Sequence, residues 1–325
     1  MYKSFFQLVR SPFEISPDPS LFYATPQHQE ALAGLYYGIK AAKGFMVLTG
    51  EVGTGKTLLV RCLQDLLDKN RVTYANVFNP RLSSQQFLSF VAEDLGLSPH
   101  PTSKSNLLIG LRRLLSERHR RGVMTMVVVE EAQHLAPVVL EEIRLLTNLE
   151  TARGKLLQIL LVGQPELEAR LDSPTLRQLK QRVALWFRLH VLSENETPDY
   201  VRCRLKLAGD KRGGIFSAAA LERVYRYSQG TPRLINTLCD NAMMSAFALR
   251  NERVTPELIE EAASDLGLNR VNGNGHSPAA EGVRWPAGEE ADEEEAASFA
   301  TVLEAREPET RGYPEFDSPE EKESK

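Results

Sequence analysis

An eight-residue motif in the first quarter of the chain has the composition of a phosphate-binding loop. It fits the pattern G-x-x-x-x-G-K-[ST] and consists of Gly50, Glu51, Val52, Gly53, Thr54, Gly55, Lys56 and Thr57. Glycines allow backbone N–H groups to curl around the β- and γ-phosphates of a nucleotide, and the N-terminus of a following helix adds positive potential. In such a loop Lys56 contacts phosphate and Thr57 holds Mg²⁺. The motif predicts binding of ATP or GTP.

The residues around this motif supply the elements that phosphate binding requires. The apolar run 45–48 precedes the motif, and residues 58–63 follow it with the spacing of an amphipathic helix. A glycine-rich loop that arose by chance would need neither element. We therefore interpret residues 50–57 as a strand-to-helix phosphate loop.

Two carboxylates follow a second buried strand. The apolar residues 124–129 are succeeded directly by Glu130 and Glu131. Open α/β sheets bind their ligands at the carboxyl ends of the strands, so both side chains are expected near the phosphate loop. Glu130 would orient the magnesium shell, and Glu131 would polarise the attacking water. An acidic pair can also simply begin a helix, but its combination with residues 50–57 favours the catalytic interpretation.

Three further polar side chains are candidates for the same site. Gln164 follows the strand candidate 156–162, where it could hold the attacking water or sense the γ-phosphate; equally, it could form a turn before Pro165. Arg182 lies just before the last strand, within reach of a neighbouring subunit's nucleotide. Arg233 opens a later helix and could reach the γ-phosphate. Both arginines are also compatible with ordinary surface positions.

The order of elements along the chain predicts an α/β fold. Strand candidates alternate with helical patterns, and several are apolar throughout, as in parallel strands covered on both faces. They are Phe45–Leu48, Val72–Phe78, Met124–Val129, Leu156–Val162 and Trp186–Leu189. After residue 192 only helical segments follow, with predicted starts at Thr197-Pro198, Ser217 and Thr255-Pro256. We predict a nucleotide-binding domain over 1–192, a small all-helical domain over 193–269 and a disordered acidic tail over 270–325.

The composition of the chain indicates its number of domains, its relation to membranes and the state of its cysteines. A chain of 325 residues with 42% hydrophobic content can bury a substantial core and suggests about two domains. It contains no apolar run of the roughly 18 residues that span a bilayer and no signal-peptide core, so we expect a cytoplasmic protein without a membrane span. The three cysteines, Cys62, Cys203 and Cys239, form no C-x-x-C pair and are expected to be reduced core residues.

The net charge of −4 is unevenly distributed. Residues 271–325 carry 5 Lys and Arg against 15 Asp and Glu, so the preceding residues have a net charge of +6. We interpret the tail as a solubilising segment in preference to a dedicated acidic interaction motif. A basic stretch comprising Arg112, Arg113, Arg118, His119, Arg120 and Arg121 is either a solvated helix face or a surface for nucleic-acid phosphates.

Together these motifs resemble those of an AAA+ ATPase of the general secretion pathway protein A (ExeA) family, with the transposition ATPases TniB and MuB as more distant relatives. The resemblance covers about residues 1 to 268. It rests on Ser11-Pro12-Phe13, Pro17-Asp18-Pro19, His28, Ala31-Leu32, Tyr37-Gly38-Ile39, Gly50–Thr57, Glu131-Ala132-Gln133, Gly163–Leu167, Gln181-Arg182 and Gly230–Asn236.

The resemblance assigns roles to these positions and implies an AAA+ P-loop fold with a helical lid. It implies a Walker A motif at Gly50–Thr57, a Walker B motif at Glu130-Glu131, a sensor 1 residue at Gln164, an arginine finger at Arg182 and a sensor 2 arginine at Arg233. It also places Phe22, Tyr23 and His28 on the adenine side, although these residues could instead pack in the core. One departure is Glu130, which replaces the usual aspartate and predicts slower hydrolysis with binding retained.

Three functions are consistent with the sequence. The first is a Mg²⁺-dependent, homo-oligomeric ATPase that remodels or assembles a protein partner, with a secretion or cell-envelope association. The alternative is an ATP-controlled adaptor that binds double-stranded DNA, similar to MuB or TniB. The third is a nucleotide switch with negligible turnover, suggested by Glu130. ATP and Mg²⁺ are the expected cofactors in each case.

Overall fold

A parallel five-stranded sheet carries the phosphate loop. The computed structural model describes residues 2–68, 71–78, 81–97, 103–152 and 154–268; the predicted tail lies outside these residues. The strands are β1 (Phe45–Gly50), β2 (Val72–Val77), β3 (Met124–Val129), β4 (Glu150–Thr151), β5 (Gly154–Lys155), β6 (Gln158–Gly163) and β7 (Leu185–Leu189). The large sheet has the order β2-β3-β6-β1-β7, and β4 and β5 form a separate two-residue hairpin.

All five predicted strands are confirmed. Their ends differ from the prediction by at most two residues. Strands β1 and β6 are buried along their whole length, which explains why their sequences are apolar without alternation. Leu48 of β1 lies between Val162 of β6 and Phe187 of β7, so the carboxyl ends of these strands share one edge with the phosphate loop.

Helices cover both faces of the sheet, and within the described residues four further helices follow the last strand. They are α1 (Tyr2–Phe5), α2 (Pro26–Lys40), α3 (Lys56–Asp68), α4 (Ser84–Asp94), α5 (Lys104–Arg120), α6 (Pro137–Leu146), α7 (Glu166–Leu171), α8 (Arg177–Lys180), α9 (Glu196–Leu207), α10 (Ala218–Ser228), α11 (Pro232–Ala248) and α12 (Pro256–Asp265). Short 3₁₀ helices occupy Pro19–Leu21, Ala132–His134 and Pro174–Leu176. The main hydrophobic core joins one face of the sheet to α4, α5 and α6.

On α2, glycines permit an unusually close approach to the edge strand. A Cβ atom built at Gly34 would lie 2.2 Å from a ring carbon of Phe187, and one at Gly38 would lie 2.4 Å from a methyl carbon of Leu185. A side chain at either position would therefore require α2 to move away from β7, or the side chains of Phe187 and Leu185 to shift. This contact fixes the helix that precedes the phosphate strand.

A second core joins helices α9 to α12 to the N-terminal segment. Phe6, Leu8 and Phe13 are buried in this core, although the sequence placed them in the nucleotide-binding domain. The buried guanidinium of Arg204 holds the segment by donating to the carbonyl oxygens of Pro12, at 2.6 Å, and Glu14, at 3.1 Å. The N-terminal residues therefore pack with the helices. The described residues form one compact unit, and the division into domains remains a prediction.

The helix starts were predicted with one error. Ser217 caps α10, and Thr255 precedes Pro256 at the start of α12, as predicted. Thr197, however, lies inside α9, which begins at Glu196. The N-cap is Asn195, whose side chain makes no capping bond. Ser193 supports the helix start instead, because its hydroxyl accepts from the Glu196 N–H at 3.3 Å, while the Glu196 carboxylate accepts from the Ser193 N–H at 2.8 Å.

Two further sequence expectations concern cysteines and membrane spans. The side chains of Cys62 and Cys239 are buried, and that of Cys203 is partly buried. Burial raises the pKa of the Cys239 thiol well above its ordinary value, which keeps it protonated. None of the helices in the described ranges is long and apolar enough to cross a membrane.

Gly230 is expected to be essential for joining the helical part to the sheet. Its φ is +72°, and a Cβ atom there would lie 1.8 Å from the carbonyl oxygen of Leu192. Gly213 has a similar φ of +67° but open space around it. We expect Gly213→Ala to lower the free energy of unfolding by about 1 kcal/mol, and Gly230→Ala by about 3 kcal/mol, because only the second adds a clash to the backbone strain. Urea unfolding of both variants measures the difference; equal losses would contradict it.

Candidate nucleotide site

The phosphate loop connects the end of β1 to the start of α3. Gly53 and Gly55 have φ values of +82° and +99°, which favour glycine. Within the described part of the chain, the N–H groups of Gly53, Gly55, Lys56 and Thr57 donate to no protein acceptor. Four unpaired donors at the beginning of a helix form an anion site, so this loop fits a polyphosphate.

The Lys56 ammonium group lies inside this loop. Its Nζ donates to the carbonyl oxygens of Gly50, at 2.6 Å, and Glu51, at 2.8 Å, and the residue is only 9% exposed. Burial lowers the pKa of Lys56 below its ordinary value, although nearby carboxylates, Glu131 foremost, act in the opposite direction. A cation desolvated in this way gains strongly from a phosphate group placed beside it.

Thr57 and Glu130 form the candidate magnesium site. The Thr57 hydroxyl donates to Glu130 Oε2 at 2.5 Å. Because this bond uses the hydroxyl proton, the lone pairs of Thr57 Oγ1 remain available to a metal. Hydroxyl and carboxylate oxygens are suitable ligands for Mg²⁺, so the pair fits the ion. The longer glutamate at position 130 therefore still reaches Thr57.

Glu131 occupies a strained turn at the end of β3. Its φ and ψ are 52° and 36°, a left-handed conformation that costs a non-glycine residue about 1–2 kcal/mol. Its Oε2 accepts hydrogen bonds from Gln133 Nε2 at 2.7 Å and from Gln164 Nε2 at 3.3 Å. The turn thus brings the carboxylate to the amide at the end of β6, and these two groups are the candidates for orienting water.

Gln133 is a site residue to which the sequence analysis assigned no role. Its side chain is buried and bridges the two strand ends, because Nε2 donates to Glu131 and Oε1 accepts from the Gln164 N–H at 3.1 Å. Arg170 fixes its backbone by donating to the Gln133 carbonyl oxygen. A polar residue two positions after the acidic pair was the available sequence signal.

His28 contacts the phosphate loop from α2. Its Nε2 lies 3.4 Å from the Thr54 carbonyl oxygen and its Nδ1 lies 2.6 Å from Thr25 Oγ1. Since a carbonyl only accepts, Nε2 carries the proton and Nδ1 accepts from the Thr25 hydroxyl. Burial lowers the pKa of His28, in agreement with a neutral ring. Phe22 packs edge-on against this ring with centroids 5.6 Å apart.

Tyr23, the third residue of the predicted adenine-side group, points elsewhere. Its ring packs against Tyr200 of α9, with centroids 5.8 Å apart and planes at 80°. It contributes to the edge of the helical core. The structure therefore places His28 beside the loop, Phe22 against the ring of His28, and Tyr23 against the helices.

The two candidate arginines occupy different places. The Arg233 N–H donates to the Gly53 carbonyl oxygen at 3.2 Å, so α11 begins directly over the phosphate loop with the Arg233 side chain exposed. Arg182 is half-buried and donates to Thr147 Oγ1 at 3.3 Å. Among the described residues, Arg182 makes no hydrogen bond to the loop, Glu130, Glu131 or Gln164.

Comparison with known proteins agrees with this geometry. The AAA domain family matches residues 39–171. The chain is 43% identical to General secretion pathway protein A of Aeromonas hydrophila over 279 residues, which are 85% of this chain and 50% of that protein. It is 29% identical to the ATP-dependent target DNA activator B of Escherichia phage Mu over 130 residues, 40% of this chain and 39% of that one. The chain thus spans half or less of the length of these relatives.

A solved structure shows the same fold. The Aeropyrum pernix ORC2 protein, in ADPNP and ADP complexes, superposes with a TM-score of 0.57 at 19% identity, covering 79% of this chain and 71% of that one. The sheet, the loop between β1 and α3 and the family match lead to one conclusion. The chain has the P-loop fold of the AAA family and, as its sequence motifs predicted, is similar to General secretion pathway protein A.

Proposed function

We propose that this chain hydrolyses ATP with Mg²⁺ in an assembly of identical subunits. The observation that supports the proposal is the arrangement of two side-chain pairs around a loop of unpaired N–H groups. Glu130 holds the Thr57 hydroxyl, and Gln164 reaches the Glu131 carboxylate. Phosphate binding, metal binding and water orientation thereby meet at one edge of the sheet.

The chemistry assigned to these residues is phosphoryl transfer to water. Lys56 and the loop N–H groups bind the phosphates, and bound Mg²⁺ would neutralise charge on the β- and γ-oxygens. Glu131 and Gln164 orient a water molecule towards the γ-phosphorus. As the water oxygen bonds to phosphorus, the bond to the β–γ bridging oxygen breaks, yielding ADP and phosphate. Glu131 accepts the proton that the water loses.

We further propose that Arg182 completes the site of a neighbouring subunit. Its guanidinium is partly exposed and makes no ion pair within the described residues. A guanidinium in such a position ordinarily forms an ion pair with a carboxylate. A cation supplied by a neighbour stabilises the charge of phosphoryl transfer. Arg233, over the phosphate loop of its own subunit, would link nucleotide binding to movement of the helices.

A mixing experiment tests the shared site. Arg182→Ala and Glu131→Gln are each expected to be nearly inactive alone. An equimolar mixture should recover a substantial part of the parental ATP hydrolysis, because the Arg182→Ala subunit retains Glu131 and its Glu131→Gln neighbour supplies an intact Arg182. If the mixture stays at the level of the separate variants while both bind ATP, the arginine does not act between subunits.

The wider role follows from the relatives as a proposal. Similarity to General secretion pathway protein A supports an ATPase that remodels or assembles a protein partner in secretion or at the cell envelope. Because the reaction consumes ATP, we place the described residues in the cytoplasm.

The alternative is an ATP-controlled adaptor for double-stranded DNA, which the similarity to the phage Mu activator supports. On α5 and directly after it, Arg112, Arg113, Arg120 and Arg121 are exposed, whereas Arg118 is half-buried and donates to the Leu95 carbonyl oxygen at 2.5 Å. Arg121 also pairs with Glu117. Only part of the basic stretch is therefore available to phosphates. DNA affinity that falls steeply between 50 and 200 mM salt would favour the adaptor.

A further inference from the structure

We propose that the ion pair between Lys155 and Glu150 keeps Arg182 available to the neighbouring subunit by occupying the carboxylate that would otherwise capture it. This inference rests on the proposed function, in which Arg182 acts between subunits. It assigns a positioning role to the short β4–β5 hairpin, for which the sequence offered none.

The hairpin places the two charged residues opposite each other. Glu150 and Lys155 are cross-strand partners, and the Lys155 ammonium contacts the Glu150 carboxylate. Lys155 Nζ also donates to the Thr147 carbonyl oxygen at 3.2 Å. The lysine is thus anchored both to the carboxylate and to the end of α6, which lies directly before the hairpin.

Arg182 also contacts Thr147, but through the side-chain hydroxyl and not the carbonyl oxygen. Thr147 Oγ1 donates to the Arg144 carbonyl oxygen at 2.7 Å and accepts from Arg182 Nη1 at 3.3 Å. Because the first bond fixes the hydroxyl proton, the lone pairs of Thr147 face the guanidinium. Arg182 and Lys155 therefore share Thr147 as a neighbour, and Glu150 is held close to both.

Lys155 and Arg182 consequently compete for the Glu150 carboxylate. Lys155 is the main cause of the lowered pKa of Glu150, and Arg182 contributes to the same lowering from further away. Within the described ranges, no carboxylate lies within 4 Å of the Arg182 guanidinium. A guanidinium matches a carboxylate in a two-pronged geometry that an ammonium lacks. Among the described residues, Arg182 is the cation besides Lys155 that acts on the Glu150 carboxylate, so it is the one to which Glu150 would turn if Lys155 were removed.

The test compares Lys155→Met, Glu150→Gln and the double variant in ATP hydrolysis over a series of protein concentrations. Exposed ion pairs are weak, so Lys155→Met should lower the concentration-dependent part of the rate by about two- to fivefold. The double variant should return to the parental rate, because Glu150 can no longer hold Arg182. ATP affinity measured with a fluorescent analogue at low protein concentration should be unchanged in all three.

Each outcome decides the inference. An unchanged rate in Lys155→Met overturns it, and so does a loss that persists in the double variant, since that would mean the hairpin is merely structural. Arg182→Ala separates this from the proposed function. If Arg182→Ala is as active as the parent, the shared site is wrong; if it is inactive while Lys155→Met is fully active, only the role of Lys155 is wrong.

Discussion

Replacement of Lys56 by alanine is expected to lower the affinity for ATP by about 100-fold or more. The ammonium group is the only side-chain cation within the phosphate loop, and each hydrogen bond to a charged group contributes about 1.5–3 kcal/mol. In the absence of a ligand, Lys56 is bonded to two loop carbonyls, so its loss also leaves Gly50 and Glu51 without these donors. Titration with a fluorescent ATP analogue in the presence of Mg²⁺ measures the change.

A matched variant separates the loss of this contact from the loss of positive charge. Lys206 is an exposed lysine on α9, and Lys206→Ala changes net charge by the same amount. It should bind ATP within about twofold of the parent. Thermal unfolding of Lys56→Ala should show that the protein is folded. Tight binding by a folded Lys56→Ala protein would mean that residues 50–57 do not form the phosphate site.

Replacement of Glu131 by glutamine is expected to reduce ATP hydrolysis by about 100-fold or more while leaving ATP affinity nearly unchanged. The amide has the same shape but cannot accept a proton from water, a contribution of about 10² to 10⁴ in rate. Glutamine at this position can still bond to Gln133 and Gln164, so the geometry of the strand ends is retained. Bound ATP should therefore persist in the variant.

Glu166→Gln is the control for charge in this experiment. Glu166 is exposed at the start of α7 and contributes, like Glu131, to the negative potential around Lys56. Its replacement removes the same charge without removing the proposed base, so turnover should change by less than about threefold. Comparable losses in the two variants would show that Glu131 acts only through its charge. Parental turnover in Glu131→Gln would remove it from the mechanism.

Much of the site was predictable because its key side chains follow buried strands. Apolar runs are local in sequence, and parallel strands end at a common edge, so Glu131 and Gln164 could be expected near the phosphate loop. The contact between Glu130 and Thr57 follows from the same topology. None of these inferences needed information about side-chain packing.

The parts that escaped prediction depend on non-local contacts or on backbone geometry. The role of Gln133 requires the left-handed conformation of Glu131, which no local pattern indicated. The N-terminal segment belongs to the helical core through contacts such as that between Pro12 and Arg204, which are far apart in sequence. The surroundings of Arg182 likewise depend on Thr147.

The most direct test of the central claim is the rate of ATP hydrolysis by the full chain, measured with Mg²⁺ over a series of protein concentrations and compared with Glu131→Gln. The proposed shared site predicts multiple turnovers that require Mg²⁺, a rate per subunit that rises with protein concentration, and almost no activity in the variant. A parental rate equal to that of Glu131→Gln at every concentration would contradict the claim and leave a nucleotide switch as the function of this site.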